Sequence, residues 1–108
     1  MNIIEKSWGK TVLVFDNETI HIYLAWIKPE GFCSKHYHKN KHNLFFVQSG
    51  SIIVKTWDKD TINEHKLLAG DKILVNNNVW HQFIATEESI ILEIYYSTID
   101  HEDIIRHI

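Results

Sequence analysis

The sequence lacks several features that would point to whole classes of protein. Its 108 residues include one cysteine, Cys33, so no disulfide can form within the chain. No apolar run approaches the roughly 20 residues that a membrane-spanning helix needs, and the residues after Met1 form no signal-peptide pattern. The formal net charge is -3, and the neighbouring Lys35, Lys39 and Lys41 are interleaved with histidines. We therefore expect no membrane or nucleic-acid partner and a cytoplasmic location.

Short runs of β-branched and aromatic residues, separated by turn residues, make up most of the chain. With 44% hydrophobic and 23% charged residues, it is typical of one globular domain, which we place at 1–108. The runs predict an all-β sandwich or barrel of eight or nine strands, and only the tail at 100–107 has helical character. Run 19–27 is apolar on both of its faces, which favours a homodimer. The predicted strands cover 11–15, 19–27, 43–48, 51–57, 61–68, 72–75, 79–85 and 90–97.

Two glycine-led segments carry the candidate chemistry. The first runs from Gly31 to His36 and His38, and the second runs from Gly70 to His81. Side chains alternate across a strand, so His36 and His38 would share one face. His81 can meet them if the sheet closes into a barrel, and three converging imidazoles suit a divalent transition metal: zinc, iron, nickel or copper. A lone histidine would be explained more simply as a polar residue in a barrel mouth.

These segments resemble the two halves of the cupin signature. Gly70, Asn76, Asn78 and His81 have the spacing of the second half, although Asn76 replaces its proline and Asn78 its second glycine. Asparagine tolerates left-handed backbone angles better than most residues. The resemblance implies a single-domain cupin, a double-stranded β-helix or jelly-roll barrel, with a short C-terminal helical turn.

The two ends of the chain are similar to a narrower group, the cupin domain of bacterial type II mannose-6-phosphate isomerases. The similarity lies in Glu5-Lys-Ser-Trp8-Gly9 and in the stretch from Glu93 to Arg106. It implies action on a sugar or sugar-phosphate, and it makes Arg106 a candidate catalytic residue that could pair with a phosphate. An ordinary surface arginine is the alternative.

The cupin resemblance also implies the metal ligands. His36, His38 and His81 occupy ligand positions, and Asn43 stands where cupins normally have a glutamate. An amide oxygen is a neutral ligand, so we expect weaker metal binding and a metal that presents its full positive charge to the substrate. The neighbouring His42 could coordinate only if the strand register slipped by one residue.

Other candidates follow from alternation along the strands. Phe45 and Phe83 share the inward face with Asn43 and His81, so they should line a substrate cavity, with plain core as the alternative. Tyr23 could reach the opposite side of that cavity. Glu93 lies in an apolar strand, so it either turns to solvent or is held near the cavity as a catalytic acid or base with a raised pKa.

Three functions are compatible with this pattern. The first is a metal-dependent isomerase or epimerase of a sugar or sugar-phosphate, in which a carboxylate or histidine moves the proton. The second is an iron(II) dioxygenase with three histidine ligands and a small substrate. The third is a module that binds a small molecule at the metal without catalysis. The missing glutamate at position 43 counts against the first and fits the third.

Overall fold

The computed structural model describes residues 2–97, which form nine β-strands. The runs of β-branched and aromatic residues between turns predicted eight of these strands to within one or two residues. The additional one, β1, is short and exposed along its whole length, so it has no alternation to detect. The strands are β1 (Ile3–Lys6), β2 (Gly9–Asp16), β3 (Ile20–Ile27), β4 (His42–Ser49), β5 (Ser51–Asp58), β6 (Thr61–Leu68), β7 (Lys72–Val75), β8 (Trp80–Ala85) and β9 (Ser89–Tyr96).

The strands form two antiparallel sheets. The larger has the order β1-β2-β3-β9-β4-β7, and the smaller has the order β6-β5-β8. Strands that are neighbours in a sheet are often distant in sequence, as β9 is from both β3 and β4. Two isolated bridges also join the segment between β3 and β4 to β8, at Phe32–Ile84 and His36–His81. This all-β arrangement of two sheets confirms the predicted fold class.

The core lies between the two sheets and follows from strict alternation. On β4, Asn43, Phe45 and Val47 are buried, while the residues between them are only partly covered. On β8, His81, Phe83 and Ala85 are buried in the same way. The inward face predicted for these two strands is therefore confirmed.

Two backbone positions in the turns depend on unusual angles. Gly50 joins β4 to β5 with φ of 84°, and a Cβ there would lie 2.4 Å from the carbonyl oxygen of Glu88. Asn78 has φ of 65°, the left-handed conformation expected where cupins carry glycine. Its backbone NH donates a 2.7 Å hydrogen bond to the carbonyl oxygen of His38. The Asn78 turn therefore ties the two histidine segments together.

The outer face of the larger sheet is apolar across five strands. Phe15, Ile22, Ile94, Leu44 and Leu74 are successive register partners on β2, β3, β9, β4 and β7. Phe15 and Leu74 are exposed, and Ile22, Ile94 and Leu44 between them are partly buried. The surplus apolar surface predicted for residues 19–27 thus continues across five of the six strands of this sheet.

The predicted C-terminal helical turn and Arg106 lie outside residues 2–97, as does part of the domain assigned to 1–108. Within the described residues, the chain has no helix long and apolar enough to cross a membrane.

Candidate metal centre

Backbone pairing brings two of the three histidines together. The NH of His36 donates to the carbonyl oxygen of His81 at 3.0 Å, and the NH of His81 donates to that of His36 at 2.8 Å. His36 and His38 lie in the connection between β3 and β4, not in a full strand as predicted, and only His36 forms a bridge there. The side chains of His36 and His38 nevertheless point to the same side, since both rings join His81 in one cluster.

The three imidazoles converge. One ligand atom from each of His36, His38 and His81 lies within 4.8 Å of the other two. The ring centroids are 4.5 Å apart for His36 and His81, 5.1 Å for His36 and His38, and 5.5 Å for His38 and His81. The sequence spacing thus brings together a three-nitrogen set of the kind that transition metals bind.

Hydrogen bonds assign the protons on two of these rings. Nδ1 of His36 lies 2.7 Å from the carbonyl oxygen of Ser34, and Nδ1 of His81 lies 2.8 Å from that of Val79. A carbonyl oxygen can only accept, so each Nδ1 donates a proton and each Nε2 keeps a free lone pair. Nε2 of His38 and of His81 is buried and has no partner among residues 2–97. These bare nitrogens are the atoms that a metal ion would use.

Burial keeps two of the imidazoles uncharged. The pKa of His38 is lowered to about 4, first by desolvation and then by the electrostatic effect of the neighbouring His36 and Lys41. Burial also lowers the pKa of His81, although the hydrogen bond to Val79 opposes the change. Neutral imidazole is the form that binds metal, so both rings are ready to do so at neutral pH.

Asn43 faces the same interior. It is 1% exposed, and neither its amide oxygen nor its amide nitrogen has a hydrogen-bond partner in the described part of the chain. A buried polar group without a partner costs roughly 1–3 kcal/mol, so its burial suggests a ligand that the amide would contact. His42 points the other way, where its Nδ1 accepts a 3.3 Å hydrogen bond from the NH of Asn77. The strand register has therefore not slipped.

Glu93 is buried next to the cavity, which decides between its two predicted positions. Tyr95 Oη donates a 2.5 Å hydrogen bond to Glu93 Oε2. Desolvation raises the pKa of this carboxyl, while Tyr95, the nearby His36 and the amide of Asn43 each lower it by less. The Asn43 amide influences Glu93 by proximity, since it lies outside hydrogen-bonding geometry. A carboxyl with a raised pKa beside three imidazoles is suited to proton transfer.

A cavity of about 370 Å³ opens above the three histidines, of which His36 and His38 line it. Tyr23 and Phe83 line it as well, at the positions that the sequence suggested. Phe45 is instead 1% exposed and packs edge-on against His81 and Phe83, in the core below the cavity. Alternation gives the face on which Phe45 lies but not its depth along the strand.

Several lining residues were not predicted from the sequence. Among them are Lys6 on β1, Lys41 just before β4, and Tyr95, which contacts Glu93. Tyr95 could have been inferred to line the cavity, because it lies two residues after Glu93 on β9 and therefore on the same face. Cys33 also lines the cavity, and burial raises its pKa to about 12, as is typical of an unreactive thiol.

Comparison with known protein families shows which family model this sequence matches. Residues 23–96 match the family model of the cupin domain. The match covers more than half of the chain and contains all three clustered histidines. No curated protein sequence matches the chain significantly.

Solved structures share the fold at low identity. KdgF from Halomonas sp. has a TM-score of 0.80 at 14% identity, over 93% of this chain and 89% of that one. A cupin described as RmlC-like, from Shewanella frigidimarina, has a TM-score of 0.73 at 21% identity, over 94% and 86%. An oxalate decarboxylase variant from Bacillus subtilis has a TM-score of 0.77 at 19% identity, and the match covers 89% of this chain but 27% of that one. These likenesses establish the cupin jelly-roll fold.

Proposed function

The chain belongs to the cupin family, and we propose that it is a metal-dependent enzyme of isomerase or epimerase type acting on a small sugar or sugar-phosphate. One observation supports this most strongly. His36 and His38, two of the three converging imidazoles, line the same cavity as the buried Glu93 carboxyl, so one small substrate can reach the metal position and a proton-transfer group together.

The metal would be held by the bare ring nitrogens of His36, His38 and His81, with the Asn43 amide oxygen as a neutral fourth ligand. The orphaned Nε2 atoms and the unpartnered amide fit such an ion. Manganese centres are present in Bacillus subtilis oxalate decarboxylase, which shares the fold. Zinc, iron, nickel and copper also suit a three-histidine set. When bound, the ion would polarise a carbonyl or hydroxyl oxygen of the substrate.

Glu93 would carry the proton. In an aldose–ketose isomerisation, its ionised carboxylate would take the proton from the hydroxyl-bearing carbon next to the carbonyl, and the resulting carboxyl would return it to the former carbonyl carbon, while the hydroxyl proton passes to the former carbonyl oxygen. Tyr95 holds one carboxyl oxygen through its 2.5 Å hydrogen bond, which leaves the other oxygen for the substrate. Burial raises the pKa of Glu93, which makes its carboxylate a stronger base than an exposed one. Arg106 remains a candidate for phosphate contact.

Deuterium exchange tests this proposal. The metal-loaded protein is incubated in heavy water with a set of aldose and ketose phosphates, and deuterium at the carbon next to the carbonyl is followed by NMR. We expect exchange in the parent, none in Glu93→Gln, and unchanged metal content in that variant because Glu93 is not a ligand. Exchange at the parental rate in Glu93→Gln would overturn the role of Glu93, and no exchange with any sugar would overturn the reaction type.

A second candidate is an iron(II) dioxygenase of a small substrate. The observation in its favour is the neutral Asn43, which leaves the described ligand set without a carboxylate. Oxygen uptake after anaerobic loading with iron(II), dependent on an added small acid or thiol, would favour this function. A ligand that raises the melting temperature without oxygen uptake or deuterium exchange would instead indicate a binding module.

A further inference from the structure

The lining of the cavity carries more positive than negative charge. Lys6 and Lys41 both line it, and Glu93 is the one carboxylate among the described lining residues. Two ammonium groups therefore face one carboxyl group, so the lining is positive even when Glu93 is ionised. The imidazoles of His38 and His81 and the Asn43 amide add no negative charge to offset this.

The two lysines approach the cavity from different sides. Lys6 ends β1 at the edge of the larger sheet, and Lys41 directly precedes β4, with β2, β3 and β9 between those strands. The Lys41 ammonium lies 4.6 Å from the ring centroid of Tyr95, a cation–π contact that holds it in place. Lys6 is exposed, yet it is close enough to Glu93 to lower the pKa of that carboxyl slightly.

Neither ammonium is neutralised by a carboxylate in the described structure. Within residues 2–97, the one ion pair joins Lys55 to Glu64, on the smaller sheet away from the cavity. A cleft of one charge sign concentrates ligands of the opposite sign. The volume of about 370 Å³ is near the lower end of small-molecule sites, which range from about 300 to 1,000 Å³. Charge and volume together select a compact anion.

We propose that the cavity binds a small organic anion through a carboxylate or phosphoryl group, with Lys41, held against Tyr95, as the main anchor and the exposed Lys6 as the second. This inference names the substrate class of the site described above and therefore rests on the proposed function. The anionic group lies between the two ammonium groups, and the remainder of the ligand reaches the three histidines. Uncharged sugars of similar size lack the group that the lysines recognise.

Anion binding to the metal-free full-length protein tests the lysines separately from the metal. Oxalate and inorganic phosphate serve as probes because each is compact and anionic, and the uncharged polyol erythritol is the ligand control. Binding is measured by isothermal titration at low and high salt, after removal of metal with EDTA and dialysis. The variants are Lys41→Gln, Lys6→Gln and Lys41→Arg, with Lys39→Gln as the matched control, since Lys39 is exposed and outside the cavity.

We expect at least one probe to bind the parent and to bind about three- to tenfold more weakly in Lys41→Gln. Lys6→Gln should have a smaller effect, Lys41→Arg and Lys39→Gln should bind as the parent does, and high salt should weaken parental binding. Equal affinity in the parent and in the Lys6→Gln/Lys41→Gln double variant would overturn the inference, and so would binding of erythritol as tight as that of the anions. Failure of the enzymatic proposal has a different signature, namely normal anion binding without deuterium exchange.

Discussion

Replacing Asn43 by aspartate isolates the charge at the fourth ligand position. The two side chains have nearly the same shape, so Asn43→Asp adds one negative charge to a site that is 1% exposed without creating a cavity. A carboxylate is also a stronger ligand than an amide for a divalent ion. Asn43→Glu, which restores the residue typical of cupins, should act in the same direction with a longer reach.

The expected gain in metal-binding free energy is the attraction between the carboxylate and the ion minus the cost of desolvating the carboxylate. A carboxylate about 4 Å from a divalent ion gains about 8 kcal/mol at an effective dielectric constant near 20, twice the value for two unit charges. Removing that carboxylate from water costs several kcal/mol, and the parental amide already supplies part of the attraction. A net gain of about 1.4 to 2.8 kcal/mol would remain, which corresponds to a Kd lower by about ten- to a hundredfold.

In the metal-free protein, Asn43→Asp should instead be destabilising. The new carboxylate lies beside Glu93 with no partner, and an unpaired buried charge costs about 3–5 kcal/mol. We therefore expect the metal-free variant to unfold at lower urea concentration than the parent, and metal to raise its stability by more than it raises the parental stability. Asn76→Asp is the control, because Asn76 is exposed and the substitution changes net charge equally.

Competition against a fluorescent metal chelator gives the Kd, and urea denaturation with and without EDTA gives both stabilities. Parental metal affinity in Asn43→Asp, together with unchanged stability of the metal-free form, would mean that position 43 does not reach the ion. The inference of a fourth ligand from the unpartnered amide would then be wrong.

Four further outcomes are expected. His38→Ala should lose metal, as measured by elemental analysis, while His42→Ala keeps it, since His42 points away from the cluster; equal metal content in both would contradict the site. Because folding lowers the pKa of His38 to about 4, the unfolded chain binds the proton more readily, so the stability of the metal-free protein should fall as pH drops from about 6.5 to about 4. His38→Ala should flatten that dependence in urea titrations, and an unchanged slope would mean that another group titrates. Cys33, with its pKa raised to about 12, should resist iodoacetamide at pH 8 until the protein is unfolded, and rapid labelling of the native protein would contradict its burial. Light scattering should give a homodimer, twice the 12.8 kDa of the chain, and Leu44→Lys in the outward apolar row should yield monomers; a monomeric parent would exclude the dimer.

The sequence predicted those features that depend on local alternation. Runs of β-branched and aromatic residues bounded by turn residues gave the bounds of β2 to β9, and alternation gave the inward faces of β4 and β8. The histidine cluster could be predicted as well, because the glycine-led segments fix the spacing of His36, His38 and His81. The left-handed turn at Asn78 could also be predicted, since asparagine is one of the few residues other than glycine that adopt such angles.

The features of the site that could not be predicted depend on the register between strands that are distant in sequence. Lys6 lines the cavity only because β1 pairs with β2 at the edge of the larger sheet, and an exposed four-residue strand has no pattern that predicts this. The depth of Phe45 below His81 likewise depends on how the two sheets face each other. Glu93 could be assigned to solvent or interior only once β9 was placed between β3 and β4.

Burial shifts the pKa values of the acids and bases of this site in opposite directions. It raises the pKa of Glu93 and lowers those of His38 and His81, so each of these groups is driven towards its uncharged form. The wall around the metal position thereby supplies lone pairs and a transferable proton but little fixed charge. The first full charges that an entering ligand meets are then the ammonium groups of Lys6 and Lys41, and for this reason the charge of the ligand, more than its exact shape, should govern its entry.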